Sequence, residues 1–177
     1  QFNNIQDLKT YPRDLQADLE LLENINPNLL VFAPSTQTIY GSKVESIDYN
    51  FDGLDKVMEG AFRPGHFEGV ATVLKYLFEI VQPDFAFFGE KDYQQLQIVN
   101  KLVSIENLPV KVVGCPISRH DDGLAESSRN MRLTQKHRQV APFIYNTLLK
   151  AKELFNDKPI ADVHQFVTDA FKDNELL

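Results

Sequence analysis

Hydrophobic positions recur along the chain at spacings that predict helices. Leu15, Leu19 and Leu22 follow one another at i, i+4 and i+7, behind a proline that suits the first turn of a helix. A second stretch of helical spacing starts at Phe67 and ends before Pro83. Both patterns predict helices with their apolar residues on one face.

Three short, continuous apolar runs predict buried strands instead: "LLVFA" at 29–33, "FAFFG" at 85–89 and "VKVVGC" at 110–115. Between the last two runs lies a predicted helix from Asp92 to about Ile105, for which Asp92 and Gln95 form a candidate capping box. Strand, helix and strand at this spacing predict a βαβ unit with parallel pairing and a right-handed crossover. The predicted fold class is α/β.

Beyond Pro116 the sequence changes to a polar loop, "RHDDGLAESSRN", followed by two amphipathic patterns near 134–155 and 159–172. We therefore predict a first domain over residues 1–118. A smaller, mainly helical part is predicted over 119–177.

Composition narrows the class of protein. The chain has 177 residues, 43% hydrophobic and 24% charged, which is typical of a globular domain, and no apolar run is long enough to span a bilayer. The single cysteine, Cys115, cannot form an internal disulfide, so we expect a cytoplasmic setting. The net charge of −7 opposes binding to nucleic acid or an anionic membrane, so a bound phosphate would have to be held locally.

A polar cluster, Gly89 to Asp92, directly follows the second predicted strand, where ligands bind in open parallel sheets. A helix dipole contributes about 0.3–1 kcal/mol to anion binding, whereas a micromolar ligand needs about 8 kcal/mol. A charge-assisted hydrogen bond from Lys91, at about 1.5–3 kcal/mol, would supply part of the difference. The alternative is that Lys91 and Asp92 form an ordinary solvated helix start.

Two further motifs have equally ordinary alternatives. "ESSRN" at 126–130 offers hydroxyls and a guanidinium to an anion, but such residues are also common in loops. His66 lies at a helix start in "RPGHFEGV", where it either binds a ligand or packs; Arg63 stands where an H-x-G-H motif would need a histidine, so that motif is rejected. The other histidines are too scattered to predict a metal site.

Three segments together resemble the pantothenate synthetase (pantoate–β-alanine ligase) family: "YPRDLQADLELLE", "RPGHFEGVATVL" with "DFAFFGEKDYQQLQIV", and "DGLAESSRN" followed by "RL". The resemblance implies a Rossmann-like nucleotidyltransferase parallel sheet, incomplete here, and a C-terminal lid domain. It also implies a homodimer that condenses pantoate with β-alanine, using ATP and Mg²⁺, through a pantoyl adenylate.

The resemblance also implies roles for individual residues. Those expected to bind ATP are Gly89, Lys91, Asp92, Ser127, Ser128 and Arg129. Of these, the residues also expected to act in catalysis are Lys91, Ser127, Ser128 and Arg129. Those expected to bind pantoate are Gln1, His66, Val70, Val73 and Gln95. Asp18 is the candidate metal ligand.

The sequence departs from the family pattern in three places. It contains neither the N-terminal strand nor the H-x-G-H motif, its C-terminal sheet is cut short, and Glu126 stands at a position that is usually apolar. We therefore expect a fragment with little or no activity of its own, and a carboxylate at Glu126 that would repel phosphate unless it turns away or pairs. The alternatives are a non-catalytic nucleotide-binding, pantoate-binding or dimerisation module, or another adenylate-forming transferase.

Overall fold

The computed structural model describes Tyr11 and residues 13–172, which form two compact units. The first unit ends at Pro116 and the second begins at Ile117. This division lies two residues before the predicted boundary at 118, and the roles predicted for the two domains stay predictions.

The first unit contains these elements: α1 (Leu15–Ile25), α2 (Thr36–Tyr40), a 3₁₀ turn (Leu54–Lys56), α3 (Met58–Phe62), α4 (His66–Val81), β1 (Phe85–Gly89), a 3₁₀ turn (Glu90–Asp92), α5 (Tyr93–Ile105) and β2 (Lys111–Cys115). The second contains a 3₁₀ turn (Ser128–Arg132), α6 (Gln135–Val140), α7 (Pro142–Leu154) and α8 (Ile160–Lys172).

The predicted βαβ unit is present. β1 and β2 pair in parallel, from Phe85 opposite Lys111 to Gly89 opposite Cys115, and α5 connects them. The inner face of this sheet packs on the helices through Phe88, whereas Phe87 on the other face is 68% exposed. Parallel pairing brings the carboxyl ends of both strands to one edge.

The core of the first unit lies between α4 and α5. The side chains that fill it fall into two clusters: Tyr49, Phe51, Phe67, Ala71, Ile98 and Leu102 in one, and Phe78, Val99 and Val110 in the other. Burial of a large apolar side chain contributes about 1.5–3 kcal/mol. The packing of α4 on α5 therefore stabilises the positions of the residues at the N-terminal ends of the two helices.

The prediction of a strand at 29–33 is wrong. These residues have no regular secondary structure, and Leu30 is 98% exposed. A strand is stable only when a neighbouring strand satisfies its backbone groups, and within the described residues β1 and β2 pair only with each other. An apolar run by itself does not provide that partner.

Polar contacts attach the loop before α3 to the two helices. Lys75 on α4 contacts Glu106 at 2.9 Å and Glu79 at 2.6 Å, and the Tyr49 hydroxyl donates to Glu106 at 3.0 Å. The Lys75 hydrogen bond lowers the pKa of Glu106. The pKa of Lys75 is raised by Glu106 and then Glu79, and that of Tyr49 by burial and then Glu106.

In the second unit, the single helix predicted over 134–155 is two helices. The chain turns at Ala141, and Pro142 begins α7 as its first residue, where the missing N–H costs little. α7 and α8 pack together, with the rings of Phe143 and Phe171 edge to face. Within the described residues no helix is long and apolar enough to cross a membrane.

Candidate active site

The carboxyl end of β1 carries the polar cluster predicted from sequence. β1 ends at Gly89, which is exposed and lies opposite Cys115 at the end of β2. A 3₁₀ turn of Glu90–Asp92 leads directly into α5. The turn therefore lies at the edge of the parallel sheet where ligands of α/β proteins bind.

Lys91 and Asp92 form an ion pair, with 3.3 Å between Nζ and Oδ1 and side-chain exposures of 37% and 59%. Exposed pairs contribute about 0–1 kcal/mol, so an incoming phosphate can compete for the ammonium group. The capping box predicted for Asp92 and Gln95 is wrong, because the Asp92 carboxylate makes no capping hydrogen bond. Its backbone angles, φ −95° and ψ 58°, are not the extended ones that a capping side chain needs.

The side chains predicted to line the pantoate pocket lie on α4. His66, its first residue, is 8% exposed and its ring centroid is 5.0 Å from that of Phe67. Val70 is 4% exposed, and Val73 is half-buried. Their spacing of i, i+4 and i+7 places all three on one face, so the structure groups them.

Gln95 is half-buried in the first turn of α5, just after the Glu90–Asp92 turn. It thus shares one short segment with Gly89, Lys91 and Asp92. Its predicted partner in binding pantoate, Gln1, lies outside the described residues.

Asp18, the candidate metal ligand, is exposed in the first turn of α1. Across residues 13–172 no three His, Cys, Asp or Glu side chains lie together in a way that would hold a metal ion. Mg²⁺ needs fewer, because it binds one or two carboxylates together with phosphate oxygens and water. One exposed carboxylate is compatible with such a site.

The second unit carries the serine–arginine loop. The Arg129 N–H donates to Ser127 Oγ at 3.2 Å, and Ser128 begins the following 3₁₀ turn. Asn130 closes the loop by donating from Nδ2 to the carbonyl of Ala125 at 3.0 Å. Ser127, Ser128 and Arg129 are therefore presented together by a hydrogen-bonded turn.

Glu126 has a defined partner. Its Oε2 accepts a hydrogen bond from Ser118 Oγ at 2.7 Å, and its backbone N–H donates to the Ser118 carbonyl at 3.0 Å. The side chain therefore lies towards the other arm of its own loop, held by a hydroxyl and not by a cation.

Sequence reasoning missed two polar residues. Asn130 fastens the serine–arginine loop, and Gln94 is buried beside Gln95. A signal for Gln94 was present: it is in phase with Ile98 and Leu102, at i+4 and i+8, so a polar residue falls on the apolar stripe of a helix. A polar side chain there needs hydrogen-bond partners in the interior.

Together these observations define an α/β protein, and the likeness to solved pantothenate synthetase structures gives its fold as the nucleotidyltransferase type. A sequence model of the pantoate–β-alanine ligase family matches residues 1–176. The chain belongs to this family.

Relatives of known name support that assignment. The chain is 51% identical over its whole length to a pantothenate synthetase of Christiangramia forsetii, and 44% identical over 98% of its length to one of Bacteroides thetaiotaomicron. It spans 62% and 61% of these two proteins.

Two solved structures give the same result. Pantothenate synthetase from Thermus thermophilus superposes with a TM-score of 0.91 at 41% identity, covering 99% of this chain and 63% of its own. Pantoate–β-alanine ligase from Francisella tularensis, described as complexed with Beta-gamma ATP and Beta-alanine, gives a TM-score of 0.75 at 32% identity, covering 96% of this chain and 63% of its own.

Proposed function

We propose that this chain supplies ATP and pantoate recognition in a pantoate–β-alanine ligase. The observation that carries the proposal is the match of residues 1–176 to that family. Because the chain spans only 62% of its C. forsetii relative, the complete reaction, its substrates, a cytoplasmic location and a homodimer are all part of the proposal.

The proposed reaction has two steps. A carboxylate oxygen of pantoate attacks the α-phosphorus of ATP, and the bond to pyrophosphate breaks. The amine of β-alanine then attacks the carbonyl carbon of pantoyl adenylate, the bond to AMP breaks, and the amine loses a proton to give pantothenate. Neither step needs a protein nucleophile, so positioning and charge stabilisation supply the catalysis.

Phosphate recognition is assigned to Lys91 and to Ser127, Ser128 and Arg129. The exposure of Lys91 at the carboxyl end of β1 supports its role, since its weak ion pair leaves the ammonium able to donate to an anion. Gly89 and Asp92 are assigned to the ribose side of the nucleotide. A Cβ added at Gly89 would have no neighbouring atom within 4 Å, so a ligand has room there.

Pantoate recognition is assigned to Gln1 and Gln95 for its polar groups, and to His66, Val70 and Val73 for its apolar part. Burial of Val70 and His66 supports an apolar wall on α4. The description of the Francisella tularensis complex supports β-alanine as the substrate that supplies the amine. Mg²⁺, held through Asp18 and triphosphate oxygens, would neutralise charge on the phosphates.

Titration calorimetry on the 177-residue chain tests the binding part of the proposal. We expect heat with ATP and with pantoate. Replacement Lys91→Met is expected to weaken ATP binding by about tenfold to a hundredfold, the value of one charge-assisted hydrogen bond. Lys150→Met, which removes an exposed lysine of α7, is the matched control and is expected to leave the affinity unchanged.

The outcomes separate the alternatives. Heat with neither ligand would show a scaffold or dimerisation module, and heat with ATP but not pantoate would show another adenylate-forming transferase. An unaltered ATP affinity in Lys91→Met would remove the basis of the phosphate site. AMP release from ATP, pantoate and β-alanine then measures turnover, which we expect to be little or none for this chain, and turnover at a rate usual for such ligases would contradict that expectation.

A further inference from the structure

Gln94 is a buried amide with every polar group engaged. It is 7% exposed, in the first turn of α5. Its Nε2 donates to the carbonyls of Leu54 and Val57, each at 2.7 Å, and its Oε1 accepts from the N–H of Glu59 at 3.0 Å. One side chain thus satisfies three backbone groups of the segment from 54 to 59, although it is 35 to 40 residues away in sequence.

The segment that Gln94 holds has a strained and tightly folded backbone. Met58 has φ 50°, in the left-handed region that is strained for a residue with a Cβ. A Cβ at Gly60 would lie 2.1 Å from the Asp55 carbonyl oxygen, so the chain folds tightly on itself here. Such backbone persists only when its surroundings hold it.

Gln94 also substitutes for a helix cap. The residue before α3, Val57, has no side chain that can accept a hydrogen bond. The Gln94 carbonyl oxygen takes the N–H of Glu59, which is one of the free donors of the first turn of α3. α3 is therefore anchored to α5 by a side chain of α5.

The hydrogen bonds of Gln94 connect the segments that carry two predicted site residues, His66 and Gln95. α3 ends at Phe62, the Arg63 side chain pairs with Glu59, and the Arg63 carbonyl accepts the N–H of His66 at the start of α4. On the other side, Gln95 follows Gln94 directly. The bonds that Gln94 makes therefore act together with the packing of α4 on α5 to set the position of His66 relative to Gln95.

We propose that Gln94 is a positioning residue for a hydroxy-acid substrate: it holds the segment from 54 to 63 so that His66 and Gln95 stay at a fixed separation. The proposal rests on the proposed function for the identity of the acid as pantoate. An amide that reads a hydroxyl discriminates strongly only when its position is fixed, since small misplacements are costly.

Three variants of the full chain test this role. Gln94→Met keeps the length of the side chain and removes its hydrogen bonds, Gln94→Asn keeps the amide on a side chain one methylene shorter, and Gln97→Met is the control on the same helix. NMR provides a ligand-independent measurement: the exchange rate of the Glu59 amide, and the resonances of the Gln95 side-chain amide and the His66 ring. If Gln94→Met does not fold, Gln94→Asn supplies the same measurements.

We expect Gln94→Met to raise the Glu59 exchange rate at least about tenfold and to move both the Gln95 and His66 resonances, with Gln94→Asn intermediate and Gln97→Met unchanged. Faster Glu59 exchange with both sets of resonances in place would overturn the inference, because the segment would then have loosened without moving the site. Unchanged Glu59 exchange would overturn it too.

Calorimetry adds the ligand. We expect Gln94→Met to weaken pantoate binding at least tenfold and ATP binding less than threefold. Pantoate affinity within twofold of the parent would contradict the proposal, as would equal weakening of both ligands, which a general loosening produces. If the parent chain binds neither ligand, the proposed function fails, and the NMR measurement still decides whether Gln94 positions His66 and Gln95.

Discussion

Gly123 lies where two parts of the second unit approach closely. Its φ is 90°, and a Cβ there would be 2.5 Å from Cδ1 of Tyr145 on α7. The Arg119 guanidinium lies 3.7 Å from the centre of the same ring and donates to the Gly123 carbonyl. The loop that presents Ser127 to Arg129 is thus packed on α7 through one aromatic ring.

We predict that Gly123→Ala destabilises the protein by about 2–5 kcal/mol, the sum of a left-handed backbone penalty and overpacking against Tyr145. Gly53→Ala is the matched control. Gly53 has φ 86° and ψ −1°, with nothing within 4 Å of a Cβ, so it carries the backbone penalty alone, about 1–2 kcal/mol. Urea denaturation measures both, and equal losses would show that the ring contact has no effect.

At the scale of elements, the sequence was informative wherever local pattern decides the structure. "FAFFG" and "VKVVGC" are apolar runs on either side of a periodic helix, and they form β1 and β2. The run at 29–33 is at least as apolar and forms no strand, because pairing depends on residues far away in sequence. Pro142 did signal a helix start, but the apolar spacing continued across it and hid the break.

The Lys75–Glu106–Tyr49 contacts make a pH prediction for the packing of α4 and α5. The folded pKa of Glu106 lies below its unfolded value, so the stabilisation is fully present above about pH 4.3 and is lost as the pH falls through the folded pKa. We expect Glu106→Gln to be about 1–2 kcal/mol less stable than the parent at pH 7, with the difference shrinking towards zero as the pH falls through the folded pKa of Glu106.

Denaturation at a series of pH values measures this, and the difference between parent and variant is the informative quantity, because the pKa values of Asp122 and Asp169 are also lowered by their hydrogen bonds. Glu23→Gln, at an exposed position of α1, is the control. A constant difference between pH 7 and pH 2 would mean that the Glu106 charge does not contribute.

For the whole molecule, the sequence predicted where the charged residues of the candidate site lie, but not the buried hydrogen bonds that hold the neighbouring segments in place. Lys91 and Asp92 could be placed at the end of a strand because strand ends are read from local pattern. The buried bonds of Gln94 connect residues 35 or more positions apart, so no local pattern contains them. The net charge of −7 also gives no general attraction for anions, which leaves binding to specific side chains.

A ligand that binds only the folded chain raises its free energy of unfolding. If ATP binds as proposed, a concentration of 100 times its Kd should raise this free energy by about 2.7 kcal/mol. Thermal denaturation of the parent and of Lys91→Met at one fixed ATP concentration measures the effect, with a smaller increase expected in the variant. An equal increase in the stability of the parent and of Lys91→Met would show that Lys91 does not contribute to ATP binding.

The pairing of Gly89 with Cys115 places a thiol at the same edge of the sheet as the polar turn. Cys115 is half-buried and is the one cysteine in the sequence, so a maleimide or a fluorinated alkylating reagent would mark a single position without any replacement. The rate of its alkylation, followed by mass spectrometry while nucleotide is added, would report directly on occupancy beyond the strand ends.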